Sequence, residues 1–515
     1  NNGTTNSSEL ILASGKNITS TITTADNGKG ILTLFGGTQT VTGQVGTGGV
    51  GGLSLAEVNA GANGATSTFT NDVFATNLDV EGTGTVNLGG DFTGTALRYN
   101  DNGIVNLADG KNINSSITSD APNQGTLNLV GTSTVTGQVG DATNNLKEIN
   151  ANGIAGKTVT FANNVYATNT NIGAGTVDIK GNLTGAVNST SPGVGTLTTT
   201  GIIDQIITGT VGNIGNLNIS NIGHSTTVAG NVNAVNTKID STLIMTDGSN
   251  ITSTITGAGN LTLDGSSTVT GTVGNTTTSL GNINANGIAG KTVTFANNVY
   301  ATNTNIGAGT VDIKGNLTGA VNSTSPGVGT LTTTGIIDQI ITGTVGNIGN
   351  LNISNIGHST TVAGNVNAVN TKIDSTLIMT DGSNITSTIT GAGNLTLDGS
   401  STVTGTVGNT TTSLGNINAN GIAGETVTFA NDVYATNIEN TGTGATTFQA
   451  NVVATNVNVN AGTSTFQDNL TAATTTISTG TGNFNTVSGA TTSDLRFTDN
   501  GTANLNNGLT GNVTT

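Results

Sequence analysis

Few residues in this 515-residue chain have types suited to chemistry. Its two histidines, His224 and His358, could each act as a general base near neutral pH. They are, however, one residue seen twice, in two identical stretches, and each sits in a Gly-, Asn- and Ser-rich run that reads as an exposed loop. The carboxylates Asp178, Asp204, Asp240 and Asp247 are scattered, with no close acidic pair in the sequence. Glycan-cleaving enzymes use two carboxylates, and neighbouring coils of a repetitive fold can bring such groups together in space. An enzyme rarely duplicates a whole site unchanged, so the expectation is that no residue is catalytic.

The other site chemistries fare no better. The chain has no cysteine, which removes disulfides, thiolate metal sites and thiol nucleophiles together. The Gly-Gly-x-Gly-x-Asp repeat of calcium-binding β-rolls is absent, as is any EF-hand loop. Asp247-Gly248-Ser249-Asn250 could offer oxygens to a cation, but it reads as a plain turn. The glycines from Gly46 to Gly52 lack the Lys-Ser/Thr of a phosphate loop. Thr-x-Thr pairs such as Thr268/Thr270 and Thr292/Thr294 resemble the threonine arrays of ice-binding solenoids, which need a stricter register than these spacings give. No metal-ligating or cofactor-binding residue is therefore expected.

Composition narrows the class. Charged residues make up 8% and aromatics 3% of the chain, against about 25% charged in ordinary domains. A disordered chain is the plain alternative. Against it, the hydrophobic 33% alternates with polar residues. The net charge of −16 is thinly spread, and the 12 basic residues form no stripe, so nucleic acid and anionic membranes are not expected partners. No apolar run approaches the ~18 residues that span a bilayer. Asn1-Asn2-Gly3 shows no charged or apolar leader, so the chain reads as a mature or excised segment.

The elements that would position any site are set by repetition. Residues 149–282 recur without substitution as residues 283–416, and a third copy opens at Ile417 before diverging. Four regions follow: 1–148 with divergent coils, the identical blocks 149–282 and 283–416, and 417–515 with a partial copy and regular coils. Within them a short beat recurs, as in Val86/Leu88, Val105/Leu107 and Leu127/Leu129, with apolar residues two apart. That is a strand with one buried face, and the frequent glycines argue against helix. Phe429, Phe448, Phe466 and Phe484 stand at a nearly constant spacing, which marks them as one position of successive coils. The expected fold is all-β: a right-handed parallel β-helix (β-solenoid) of about 19 residues per coil, with three short strands and three turns. Roughly 27 coils at ~4.8 Å would make a rod near ~130 Å. Uneven stretches, such as Asn216 to Thr242, imply protruding loops, and neither terminus carries a capping helix. Lys157 and Lys291 give way to Glu425 in the third copy, so that position should face solvent.

The phrases LTLDGSSTVTGTVG, VDIKGNLTGAV, VTFANNVYATN and TTFQANVVATNVNVNAG resemble passenger domains of bacterial autotransporters, above all the rickettsial outer-membrane surface antigens of types A and B. The resemblance implies a β-helical passenger exported through an outer-membrane barrel and displayed outside the cell. No barrel segment is visible in this chain, and the resemblance supplies no catalytic residues. The expected function is a non-enzymatic adhesin or structural stalk at the bacterial surface, with a host-cell or cell-surface receptor as partner and no insertion of this segment into the membrane. Two alternatives stand beside it: a self-assembling surface-layer or filament subunit, joined end to end or laterally, and a polysaccharide-acting enzyme.

Overall fold

Alternating Thr and Val suit an extended backbone whose two faces see water and core in turn. In the computed structural model, which describes residues 8–151, 153–285, 287–484 and 491–515, such segments are strands. Asn1, Asn2 and Gly3 lie outside the described residues. The chain divides into two compact units, Asn1–Gly259 and Asn260–Thr515, with the boundary inside the first identical block. Each unit is a parallel β-solenoid. Among the described residues the one helical element is a 3-10 turn, Ala62–Gly64.

In the first unit, Thr85–Leu88 pairs in parallel with Thr66–Phe69 on one side and Ile104–Leu107 on the other. Phe69, Val86, Leu88, Val105 and Leu107 point inward and are buried. The partners between the inward residues stack too. Asn106 donates to Asn87 (2.7 Å), Asn128 to Asn106 (2.7 Å), Asn150 to Asn128 (2.9 Å) and Asn171 to Asn150 (2.8 Å). At one corner, carboxylate and amide oxygens take up the amides that no strand pairs: Asp72 accepts from the Asp91 N–H, Asp91 from that of Asn112, and Asn112 from that of Thr134. Polar side chains thus replace water along the turns, where buried backbone groups would otherwise lack partners.

The second unit repeats this plan and shows how a coil is made. Thr292–Phe295 and Thr310–Ile313 are short strands, while Val299–Ile306 is longer, with a register shift between Tyr300 and Asn303. The irregularity bends that strand so that its two halves serve two faces. A coil therefore often contains two strands, one of them bent, where three separate ones were expected. Asx corners recur: Asn298 accepts from the Asn316 N–H, and Asn316 from that of Ile340.

Following one inward row gives the true period. Phe295 pairs with Ile313, Ile313 with Thr333, Thr333 with Ile353 and Ile353 with Ile373. Thr371, two residues before Ile373 and also inward, then pairs with Ile389, Ile389 with Val407, and Val407 with Val433. The step from Phe295 to Ile313 is among the shortest and that from Val407 to Val433 is the longest of this row. A turn averages about 20 residues, close to expectation. Phe429, the counterpart of Phe295, lies on a different row: Val345, Val366, Ile385, Val403, Phe429. Each repeat block is thus about six and two-thirds turns, where seven were expected.

The C-terminal coils hold the expected aromatic column. Rings of Phe429, Phe448, Phe466 and Phe484 stack with centroids 5.0, 5.0 and 5.5 Å apart and planes within 7° of parallel. Coils without inserted loops keep these side chains in register.

Candidate functional site: a duplicated corner

The two histidines lie on one kind of corner, present once in each unit. In the second unit, the strands Val328–Thr333 and Val345–Ile353 are followed by loops of equal length, 334–338 and 354–358. The equivalent link one coil later is only Asp374 and Ser375, before Thr376–Met379. Both loops therefore project beyond that neighbour, as the uneven spacing of the sequence implied.

Buried polar groups pin the loops at their base. Gln339 is fully buried; its Nε2 donates to the carbonyls of Ile313 (2.9 Å) and Gly315 (2.8 Å), and its Oε1 accepts the Gly335 N–H (3.2 Å). A Cβ on Gly335 would meet the Lys314 carbonyl oxygen at 2.3 Å, so only glycine fits there. Asn355, also buried, donates to the Ser359 carbonyl (2.7 Å) and accepts from Thr360 Oγ1 (3.2 Å). Thr360 Oγ1 in turn meets Thr333 Oγ1 at 3.1 Å, which ties the two coils together.

The titratable residues sit on top of this base. Asp338 Oδ1 accepts from Ser359 N–H (2.7 Å) and Oγ (3.1 Å), and lies 3.8 Å from His358 Nδ1. The Ser359 N–H, then its hydroxyl, and last His358 hold the Asp338 carboxyl below its usual range. Lys372 Nζ is 2.5 Å from Asp374 Oδ2. Ser375 Oγ donates to the carbonyls of Asn355 (2.9 Å) and His358. A shallow cleft of about 490 Å³ is lined by Asp338, His358, Ser359, Asp374 and Ser375 among others.

The first unit repeats the corner. Asp204 Oδ1 accepts from Ser225 N–H (2.7 Å) and Oγ (3.0 Å), with His224 Nδ1 at 3.8 Å, and its carboxyl is lowered in the same way. Gln205 donates to Ile179 and Gly181, and Lys238 pairs with Asp240 at 2.5 Å. Of the four carboxylates singled out from the sequence, Asp204 and Asp240 flank the histidine corner. Asp178 instead accepts from Thr200 Oγ1 (2.7 Å). Asp247 lies in a turn beside Gly248, whose φ of 83° is left-handed, while Ser249 Oγ binds the Ala229 carbonyl at 3.2 Å.

A nucleophile mechanism needs a hydroxyl hydrogen-bonded to the imidazole. Here the Ser359 and Ser375 hydroxyls donate to a carboxylate and to backbone carbonyls, so they cap the corner. What the corner does present is apolar: Ile336 is 87% exposed and Ile356 84%, with Ile337 and Ile340 half-exposed. In the first unit Ile202 is 86% and Ile222 83% exposed, with Ile203 and Ile206 beside them. Sequence reasoning passed over these residues. The signal was there, because Ile202-Ile203 breaks strict alternation and Ile222 stands between Asn and Gly.

Lys157 Nζ lies 3.1 Å from Asp109 Oδ2, with both side chains about 40% exposed. Glu425, which replaces it in the third copy, turns back so that Oε2 accepts the Ile422 N–H at 2.6 Å. The charge reversal is accommodated at a half-exposed loop base.

Fold and surface together define a repetitive β-solenoid that displays loops at its corners. No protein-family model and no solved structure matches the chain. Among curated proteins it is similar to Outer membrane protein A of Rickettsia rickettsii, with 32% identity over 295 residues, which is 51% of this chain and 12% of that protein. The chain thus spans about an eighth of the length of this relative. The likeness to the rickettsial outer-membrane antigens, seen in the repeated phrases, is borne out by this match and by the solenoid fold.

Proposed function

We propose that the chain is part of a surface-displayed, non-enzymatic β-solenoid that serves a bacterium as an adhesive stalk outside its outer membrane. The observation that carries this is the tandem duplication of a block of about six and two-thirds coils. The block 283–416, which lies within one unit, stacks over about 32 Å at ~4.8 Å per turn, and the two blocks carry the same loop sequences. Similarity to an outer membrane protein supports the location. The mechanism is reach: stiff stacked coils hold loops away from the cell.

The experiment displays the chain on a heterologous bacterium through a carrier barrel and counts attachment to host cells, with zero, one or two blocks present. Attachment rising with block number is expected. Attachment that ignores block number, with equal display by surface antibody, overturns the stalk mechanism.

A further inference from the structure

A row of outward side chains in the first unit breaks off at Asp79. The asparagine ladder described above shows how such a row is normally built. Asn87 Nδ2 donates to Thr68 Oγ1 (3.1 Å), and Asn106 Nδ2 then donates to Asn87 Oδ1 (2.7 Å). A second row opens in the same way. Thr33, Asn59 and Asp79 are successive partners on the paired strands Ile31–Phe35, Leu55–Ala60 and Val73–Val80. Asn59 Nδ2 donates to Thr33 Oγ1 (3.2 Å), which leaves Asn59 Oδ1 for the next coil. The residue there is an aspartate, which as a carboxylate can only accept. Asn59 Oδ1 and Asp79 Oδ1 are both buried, and neither accepts a hydrogen bond. Arg98, the next residue of the row, holds its Nε 3.6 Å from Asp79 Oδ1, beyond hydrogen-bond reach. Two buried acceptors on neighbouring coils are thus short of one donor, an arrangement that costs stability as it stands.

We propose that a proton is the missing donor: as the surroundings acidify, Asp79 becomes a carboxylic acid, donates its O–H to Asn59 Oδ1, and locks the coil at 55–60 to the coil at 73–80. The step moves one proton from solvent to the carboxylate and breaks no covalent bond. An asparagine at 79 would close the row at every pH, as Asn106 does in the other row. The aspartate makes closure conditional. The charges that face Asp79 support this. Glu57 on the preceding strand, Glu81 just past its own strand and Asp120 two coils on are acidic, against Arg98 alone. Burial, working against Arg98 and with those three carboxylates, pushes the Asp79 carboxyl up to about 6. The folded value lies above the unfolded one, so the lock is complete below about pH 4 and released as pH rises through 6. Among the described residues no three acidic or histidine side chains are placed to hold a metal ion, which favours the proton over a cation. The lock belongs to the isolated chain and does not depend on display at a surface.

Hydrogen exchange of the full 515-residue chain tests this, read on peptides covering 55–60 and 73–80 and corrected for the intrinsic effect of pH. Between pH ~7.5 and ~5, wild-type protection there should rise about tenfold, the change that a shift from 3.8 to about 6 allows. Thr292–Phe295 should stay level. Asp79→Asn should be as protected at pH ~7.5 as the wild type is at ~5. Asn59→Ala removes the acceptor and should cut the gain to about twofold, while Asn87→Ala, the matching position of the other row, should keep it in full. The infrared spectrum of the wild type at pH ~5 should show the carbonyl band of a hydrogen-bonded carboxylic acid that Asp79→Asn abolishes, a reading that does not need the Asn59 variant to fold. Four results overturn the proposal: wild-type protection that ignores pH, a full gain in Asn59→Ala, an Asp79 band typical of a free acid, or millimolar Ca²⁺ at pH ~7.5 reproducing the acid level of protection, which would make the gap a cation site.

Discussion

Phe429, the counterpart of Phe295 one repeat later, stands on Val403 in the row one face before the row that runs on from Phe295 through Ile313. The third copy is therefore turned by about a third of a coil relative to the second. Identical sequence does not present identical side chains in one direction. Duplication lengthens the wall and redistributes its loops around it.

Interchangeability of the blocks can be measured directly. Removing residues 283–416 joins Asn282 to Ile417, and Asn416 already precedes Ile417 in the chain, so the junction rebuilds native coil contacts. The shortened protein should keep its β-sheet circular dichroism and melt within about 3 °C of the parent, since each coil depends on its neighbours alone. A loss of more than ~10 °C would show that the copies are not equivalent coils.

The aromatic column is a local staple. Phe448 stacks between Phe429 and Phe466 at 5.0 Å on both sides and is buried. Phe448→Ala should cost about 3–5 kcal/mol through lost packing and a cavity. Hydrogen exchange should then rise across the strands Thr426–Phe429 to Thr481–Phe484, while Thr310–Ile313 stays protected. Uniform loss of protection throughout the second unit would refute this local picture.

How much was legible depended on loop length. Uninterrupted coils near the C-terminus kept the four phenylalanines at a nearly constant spacing, so their column could be read directly. The third-of-a-turn offset could not. Loops such as 334–338 and 354–358 lengthen some coils, while the repeat length happens to lie close to a whole multiple of the expected coil. The asparagine ladder from Asn87 to Asn171 looked like mere composition, since an outward Asn carries no phase signal until its partner is known. Asp79 was invisible for the opposite reason. Alternation puts it on the outer face between the inward Leu78 and Val80, yet it is 4% exposed.

Gln339 pins the corner that exposes Ile336 and Ile356. Gln339→Ala removes the side-chain partner of the Gly315 carbonyl and the Gly335 N–H, while the Ile313 carbonyl keeps the Thr334 N–H at 3.2 Å. Unsatisfied buried groups of this kind cost about 1–3 kcal/mol each where water cannot reach them. Expected are a fall in melting temperature and early proteolysis between residues 334 and 341, with the equivalent corner at Gln205 unaffected. Proteolysis unchanged at that loop would show that the strand pairing alone holds it.

Asp79 makes stability depend on pH in an unusual direction. Burial, opposed by Arg98 and reinforced by Glu57, Glu81 and Asp120, raises its carboxyl from 3.8 to about 6. Arg98 Nε is 3.6 Å from Oδ1, and its half-exposed guanidinium only partly offsets the desolvation. Because the folded value lies above the unfolded one, the folded state holds the proton more tightly. Asp79 therefore favours folding while protonated, and this contribution falls away as pH rises from about 4 through 6. The penalty above pH 7 is on the order of 2 kcal/mol. Asp79→Asn should remove it, melting higher than wild type at pH 8 and close to wild type at pH 4.5. Equal melting of the two proteins at pH 8 would mean that Arg98 compensates the buried charge in full.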